Sequence, residues 1–94
     1  MSGQPDWVSA AEIDAVLREA LKPKMLRVED ESAQHAGHAG ASSGSHFRVT
    51  VHAACFTGLT RLARHRLVYD SLALLIPRGI HALAIEAEAA QDAA

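Results

Sequence analysis

The chain carries six histidines and a single cysteine, and these seven side chains bound the chemistry open to it. One cysteine cannot build a disulfide framework, nor can one copy of the chain assemble a four-cysteine metal site. Cys55 lies in Ala-Ala-Cys-Phe, an apolar setting expected to hold an inert, buried thiol. His35 and His38 fall within DESAQHAGHAGASSGSHF, residues 30–47, a glycine- and serine-rich stretch with almost nothing to bury. His81 follows Pro77-Arg78-Gly79, so rigid backbone holds it at the start of an aliphatic strand. A fixed imidazole and one on a loop together suit zinc, copper or iron. Loop histidines beside glycine are also common as solvated side chains, so spacing alone leaves both readings open.

The other histidines read differently. His65 sits on the apolar stripe of a helix, where a hydrogen-bonded core histidine is expected, with Arg64 and Arg66 beside it facing outward. His46 opens a strand, and His52 alternates with that strand's core residues and should face solvent. The sequence has no Gly-x-Ser-x-Gly elbow and no His-Glu-x-x-His pair. Asp30 and Glu31 are adjacent, with nothing to set them as an acid and a base. Gly37-His38-Ala39-Gly40 matches the Gly-x-x-Gly nucleic-acid clamp only literally, because it lies between strands and not between helices.

A few elements must position these groups. Ser9 and Glu12 make a capping box, and Val8 and Ile13 a hydrophobic staple, at the start of a helix. Ile13, Val16, Leu17, Ala20 and Leu21 form its apolar stripe. Pro23 stops it. Leu26 and Val28 alternate with charged residues in a short strand, and Phe47, Val49 and Val51 do so in a clearer one. These two strands most simply pair as an antiparallel hairpin across a connection of a length usually functional or disordered. Phe56-Thr57-Gly58 reads as a turn, and a helical stretch is expected from Leu59 to Ile76, its stripe Leu62, His65, Tyr69, Leu72 and Ile76, with Val68 and Leu75 beside them. Ile80 to Ile85 reads as a third strand, and the acidic, alanine-rich run from Glu86 to Ala94 as a fraying tail. This order predicts an α+β domain with a small sheet covered by helices on one face.

At 94 residues, 49% of them apolar, the chain suits one small domain with one core. Residues 1–8 read as an N-terminal extension, 9–88 as the domain with a flexible loop at 33–45, and 89–94 as a frayed end. No apolar run reaches the roughly 18 residues of a membrane span. The polar start lacks the layout of a signal peptide, so a cytoplasmic protein is expected. A net charge of −2 argues against generic nucleic-acid binding. A local basic face remains open, built on Arg61, Arg64 and Arg66 with Lys22 and Lys24 nearby.

The residues also resemble a known family, the BolA-like proteins. The resemblance rests on Asp30-Glu31-Ser32 with His35, on Ser45-His46-Phe47-Arg48-Val49, on Phe56-x-Gly58, on Arg64-His65-Arg66-Leu67-Val68-Tyr69 and on Ile80-His81-Ala82-Leu83-Ala84. It covers residues 10 to 88. It implies an αββααβ fold similar to a class II KH domain, with a three-stranded mixed sheet, helices on one face, and a short helix near Leu59 to Arg61 before the main one. It further implies a non-enzymatic adaptor in iron–sulfur cluster trafficking or iron sensing, partnered by a monothiol (CGFS-type) glutaredoxin. In that pairing a bridging 2Fe–2S cluster is shared: the glutaredoxin and glutathione supply thiolates, and the BolA-like partner supplies His81 and a residue of the loop. His35 matches the loop position in the histidine subgroup, and His38 is the alternative ligand. No cluster is expected in the chain alone. Some members of the family are transcriptional regulators, which implies DNA as a second partner class, contacted through Arg61, Arg64 and Arg66. A homodimer is compatible with the same features, and no membrane role is implied.

Overall fold

Ser9 begins the fold as the capping box requires. Its hydroxyl accepts from the Glu12 backbone N–H at 3.2 Å, and the Glu12 carboxylate accepts from the Ser9 N–H at 3.2 Å. Val8 and Ile13 are both buried, completing the staple. The helix α1 runs Ala10–Leu21. It ends where Lys22 adopts a left-handed conformation (φ 49°), its N–H bonded to the Arg18 carbonyl, just before Pro23. The computed structural model describes residues 8–31 and 45–90.

Three strands follow: β1 (Met25–Asp30), β2 (Ser45–Ala53) and β3 (Ile80–Ala89). They lie in the order β1-β2-β3, the first pair antiparallel and the second parallel. A parallel pair needs a crossover. Here it contains a 3₁₀ turn (Ala54–Phe56), the helix α2 (Arg61–Ser71) and a second 3₁₀ turn (Ile76–Arg78). Side chains alternate along β2. Phe47, Val49, Val51 and Ala53 are buried on one face, where Ile13, Leu17 and Leu21 of α1, Val68 of α2, and Leu72, Leu75 and Phe56 complete the core. Burying a side chain of this size contributes roughly 1.5–3 kcal/mol, so this one face supplies most of the stability. Arg48, Thr50 and His52 alternate with those core residues and stand on the sheet's open face. His52 is therefore placed as its alternation predicts.

Four expectations change. The helical stretch is shorter than its periodicity suggests: α2 stops at Ser71, and tight turns carry the chain through residues 72–78. Pro77 lacks an N–H and disfavours helical geometry at Ile76. With the chain turning there, Val68, Leu72 and Leu75 enter the core while Leu62 and Tyr69 are exposed. The short helix before α2 lies at Ala54–Phe56, not near Leu59–Arg61, because Thr60 caps α2 by accepting from the Ala63 N–H at 3.1 Å. The run from Glu86 is strand as far as Ala89: β2 offers pairing groups to that point, Ala87 is buried, and the Ala90 N–H bonds Ala53. Pairing and burial override alanine's low strand preference. Finally, Cys55 is exposed, turned outward by the 3₁₀ turn that buries its neighbour Phe56.

Candidate functional site

The site lies where β2 and β3 begin. Ser45 pairs with Ile80, but His46 pairs with Ala82. His81 is thus an extra residue in β3, a bulge. Strict alternation would send His81 to the face opposite Ala82 and its partner His46. A bulge re-aims a side chain and is over-represented beside functional sites. The His81 ring lies 5.4 Å from that of His46, centroid to centroid, with the planes inclined at 44°. His81 is exposed and His46 half-buried.

The backbone leading to His81 is tightly specified. Pro77 stands in the 3₁₀ turn, whose last N–H···O bond runs from Gly79 to Ile76. Gly79 has φ 129°, a conformation that side chains disfavour. Between them, Arg78 donates to both oxygens of Glu12, at 3.0 and 3.3 Å. This ties the turn to the first turn of α1. The hydrogen bond from Arg78, then that from the Ser9 backbone, holds the Glu12 carboxyl below its ordinary range.

His46 is anchored from the other side. Its carbonyl accepts from the Glu31 N–H at 2.7 Å. The Glu31 carboxylate accepts from Arg48 at 3.0 Å, and Arg48 also reaches Glu86 at 3.3 Å, so one guanidinium of β2 ties β3 to the residue that follows β1. Glu31 chiefly, with Glu86 and Glu29 adding charge, holds that guanidinium protonated still more firmly.

Among the candidates, His81 stands at this edge. His35 and His38 lie outside the described residues. His65 is not a core residue: it is half-buried on α2, lining a groove of about 470 Å³ with Arg61, Arg64 and Glu86–Glu88. The three α2 arginines do not act alike. Arg61 and Arg66 are exposed, but Arg64 is turned inward, donating to the carbonyls of Leu59 at 3.0 Å and Ala87 at 3.2 Å. It fastens α2 to β3, which removes it from an outward basic face. The residue that sequence reasoning missed is His46. Its ring meets His81 only through the parallel pairing of strands 35 residues apart, which alternation within either strand does not encode. Among the described residues, no three histidine, cysteine or acidic side chains converge as a metal site, so this edge offers two imidazoles. No helix among the described residues is long and apolar enough to cross a membrane.

Comparison with known proteins fits this geometry. The profile of the BolA-like protein family matches residues 17–92. BolA-like protein 1 of Homo sapiens is 47% identical over 86 residues, covering 92% of this chain and 61% of its own length. The DNA-binding transcriptional regulator BolA of Escherichia coli is 44% identical over 73 residues, covering 78% and 68%. This chain thus spans about three-fifths of the human relative. The solved structure of BolA1 from Arabidopsis thaliana superposes with a TM-score of 0.75 at 37% identity, over 87% of this chain and 92% of that one.

Proposed function

The chain belongs to the BolA-like protein family, and on that premise we propose that it is a non-enzymatic cytoplasmic adaptor that carries a 2Fe–2S cluster as shared cargo with a monothiol glutaredoxin. The observation that carries this reading is the bulge that sets the His81 imidazole, exposed, beside that of His46. The glutaredoxin and glutathione supply thiolates, and this chain supplies imidazoles. His81 is the fixed ligand, and the second comes from the loop, His35 or His38. The loop leaves the sheet after Glu31 and returns at Ser45, so both its ends flank His46. Two thiolates on one iron and two imidazoles on the other give a Rieske-like ligand set, which raises the reduction potential relative to all-thiolate ligation.

The chain's own residues act by positioning. Pro77 and Gly79 fix the turn, and the Arg78–Glu12 contact holds it against α1. The bulge presents His81 to a partner without disturbing the core behind it. Imidazole binds iron only when neutral, so the shared cluster is expected to be released more readily in acid than an all-thiolate one.

The test is visible absorption and circular dichroism of cluster-loaded monothiol glutaredoxin and glutathione mixed with this protein. The wild type changes the spectrum. His81→Ala abolishes the change, one of His35→Ala and His38→Ala does so too, and His46→Ala reports whether the neighbouring ring is required. An unchanged spectrum with the wild type refutes the adaptor reading.

A second reading, a DNA-binding regulator, is favoured by the E. coli relative described in those words. With Arg64 committed to the fold, its basic face reduces to Arg61 and Arg66. DNA affinity that falls steeply between low and moderate salt would support it.

A further inference from the structure

The two outer edges of the sheet are finished differently. On β3 the Ala90 N–H bonds the Ala53 carbonyl, so by alternation Leu83, Ile85 and Ala87 turn their main-chain groups away from β2. The helix α2 covers that edge: the Arg64 guanidinium donates to the Ala87 carbonyl at 3.2 Å, and the Tyr69 hydroxyl to the Leu83 carbonyl at 3.4 Å. β1 has no such cover among the described residues. The Glu31 N–H that follows it donates to the His46 carbonyl at 2.7 Å, which carries the β1–β2 register one pair further. Bonded residues alternate along an antiparallel ladder. Arg27 and Glu29 therefore turn their main-chain groups to β2, while Leu26 and Val28 turn theirs outward, where no partner meets them among the described residues. Edges are commonly blunted by proline, a bulge or a covering element. β1 is six residues without proline, paired to β2 in unbroken register. Two of its charges are also left over. Arg27 and Glu29 pair with Thr50 and Arg48 in register and so share the open face. Glu29 adds to the field at Arg48, but neither Arg27 nor Glu29 closes an ion pair among the described residues.

We propose that β1 is a dimerisation edge: it pairs antiparallel with β1 of a second copy about a two-fold axis through Val28, joining two three-stranded sheets into one. In this register Val28 faces its own counterpart, and the two exchange both N–H···O bonds. Arg27 then faces the partner's Glu29, and by symmetry Glu29 faces the partner's Arg27. The outward-turned groups allow only registers that set even-numbered residues opposite one another. Slipping the partner by two residues one way opposes Arg27 to the partner's Arg27, and slipping it the other way opposes Glu29 to the partner's Glu29. Opposite charges stabilise a cross-strand pair and like charges destabilise it. Charge thus selects this register over both its neighbours, and the strand is complementary to itself, as a two-fold interface requires. Leu26 and Val28 are only half-buried against the core in one chain. The same pairing covers them further, which favours association. A six-residue strand makes a small interface, so the dimer is expected to be weak and in exchange with the monomer. β1 contains no histidine, so the pairing operates with or without a cluster.

The experiment follows the cluster-free full chain by sedimentation equilibrium from micromolar to millimolar concentration, with amide hydrogen exchange at both ends of the range. The mass is expected to rise from one chain toward two, and the Leu26 and Val28 amides to gain protection as it does. Arg27→Glu and Glu29→Arg each set like charges opposite one another and weaken the dimer about tenfold or more. Mixed in equal amounts, the two variants pair with each other, because every cross-strand contact is again between opposite charges. That rescue also certifies that both variants fold. The proposal is overturned if the wild type stays monomeric at millimolar concentration, if either variant dimerises as well as the wild type, or if the mixture pairs no better than each variant alone. It is equally overturned if Leu26 and Val28 are protected to the same degree at every concentration, which marks an edge covered within one chain, or if association leaves them unprotected, which places the contact elsewhere.

Discussion

The two ends of the β2–β3 pair are built to opposite purposes. At the far end Val51 faces Ala87 and Ala53 faces Ala89 in unbroken register, with the buried Phe56 following directly. At the near end the register slips at Ser45 and His46, and His81 is left over. The far end buries apolar side chains, and the near end exposes the His81 imidazole beside the half-buried His46. The fold concentrates its stability where the ladder is regular and places its candidate chemistry where the ladder is broken, which is where local rules are expected to yield.

Substitutions at the two ends should separate stability from cargo binding. The largest expected effect is at the regular end: Phe56→Ala destabilises the fold by about 3–5 kcal/mol, read from the shift of the urea unfolding midpoint. Gly79→Ala comes next. Its φ of 129° is strained for a side chain, at roughly 1–3 kcal/mol, and relief of that strain moves His81. It should therefore lower the midpoint and weaken the cluster spectrum together, the one change expected to couple the two ends. Ser9→Ala removes the α1 cap and costs about 1 kcal/mol, with the histidine edge unaffected.

Glu12→Gln is smaller and depends on pH. Glutamine still completes the capping box, so the substitution isolates the charge facing Arg78. The Glu12 carboxyl is lowered in the folded state from a reference of 4.5. Its contribution is therefore fully present above that reference and is lost as pH falls through the folded value. Wild type should exceed the variant in urea midpoint at pH 7, and the gap should close in acid. A gap independent of pH would show that the contact is not ionic. His81→Ala should have the smallest effect on stability, within about 0.5 kcal/mol as for surface residues generally, while removing the cluster signal. A large loss of stability in that variant would erase the contrast between the two ends.

The sequence by itself determined the elements that depend on neighbours within a few residues. The capping box, the staple and the alternation of β2 stand in the structure as read, and the stripe of α1 does so at Ile13, Leu17 and Leu21, with Val16 half-buried and Ala20 exposed at its margin, since each rests on contacts three, four or two residues apart. It also determined that His81 begins a strand after a rigid turn, and the family motifs carried the three-stranded mixed sheet. Tertiary structure alone decided what depends on distant partners. Which face of α2 is buried was not legible, because Leu62, His65 and Tyr69 satisfy helical spacing as well as Val68 and Leu72 do, and only the sheet beneath chooses between them. Arg64 reads as a surface charge until β3 supplies the Ala87 carbonyl. Glu86–Ala89 reads as a tail until β2 supplies a ladder. The meeting of His46 with His81 required a parallel register and a one-residue slip within it. Side-chain direction in a strand has a period of two, so one inserted residue reverses it, and no local pattern in either strand records where that residue falls.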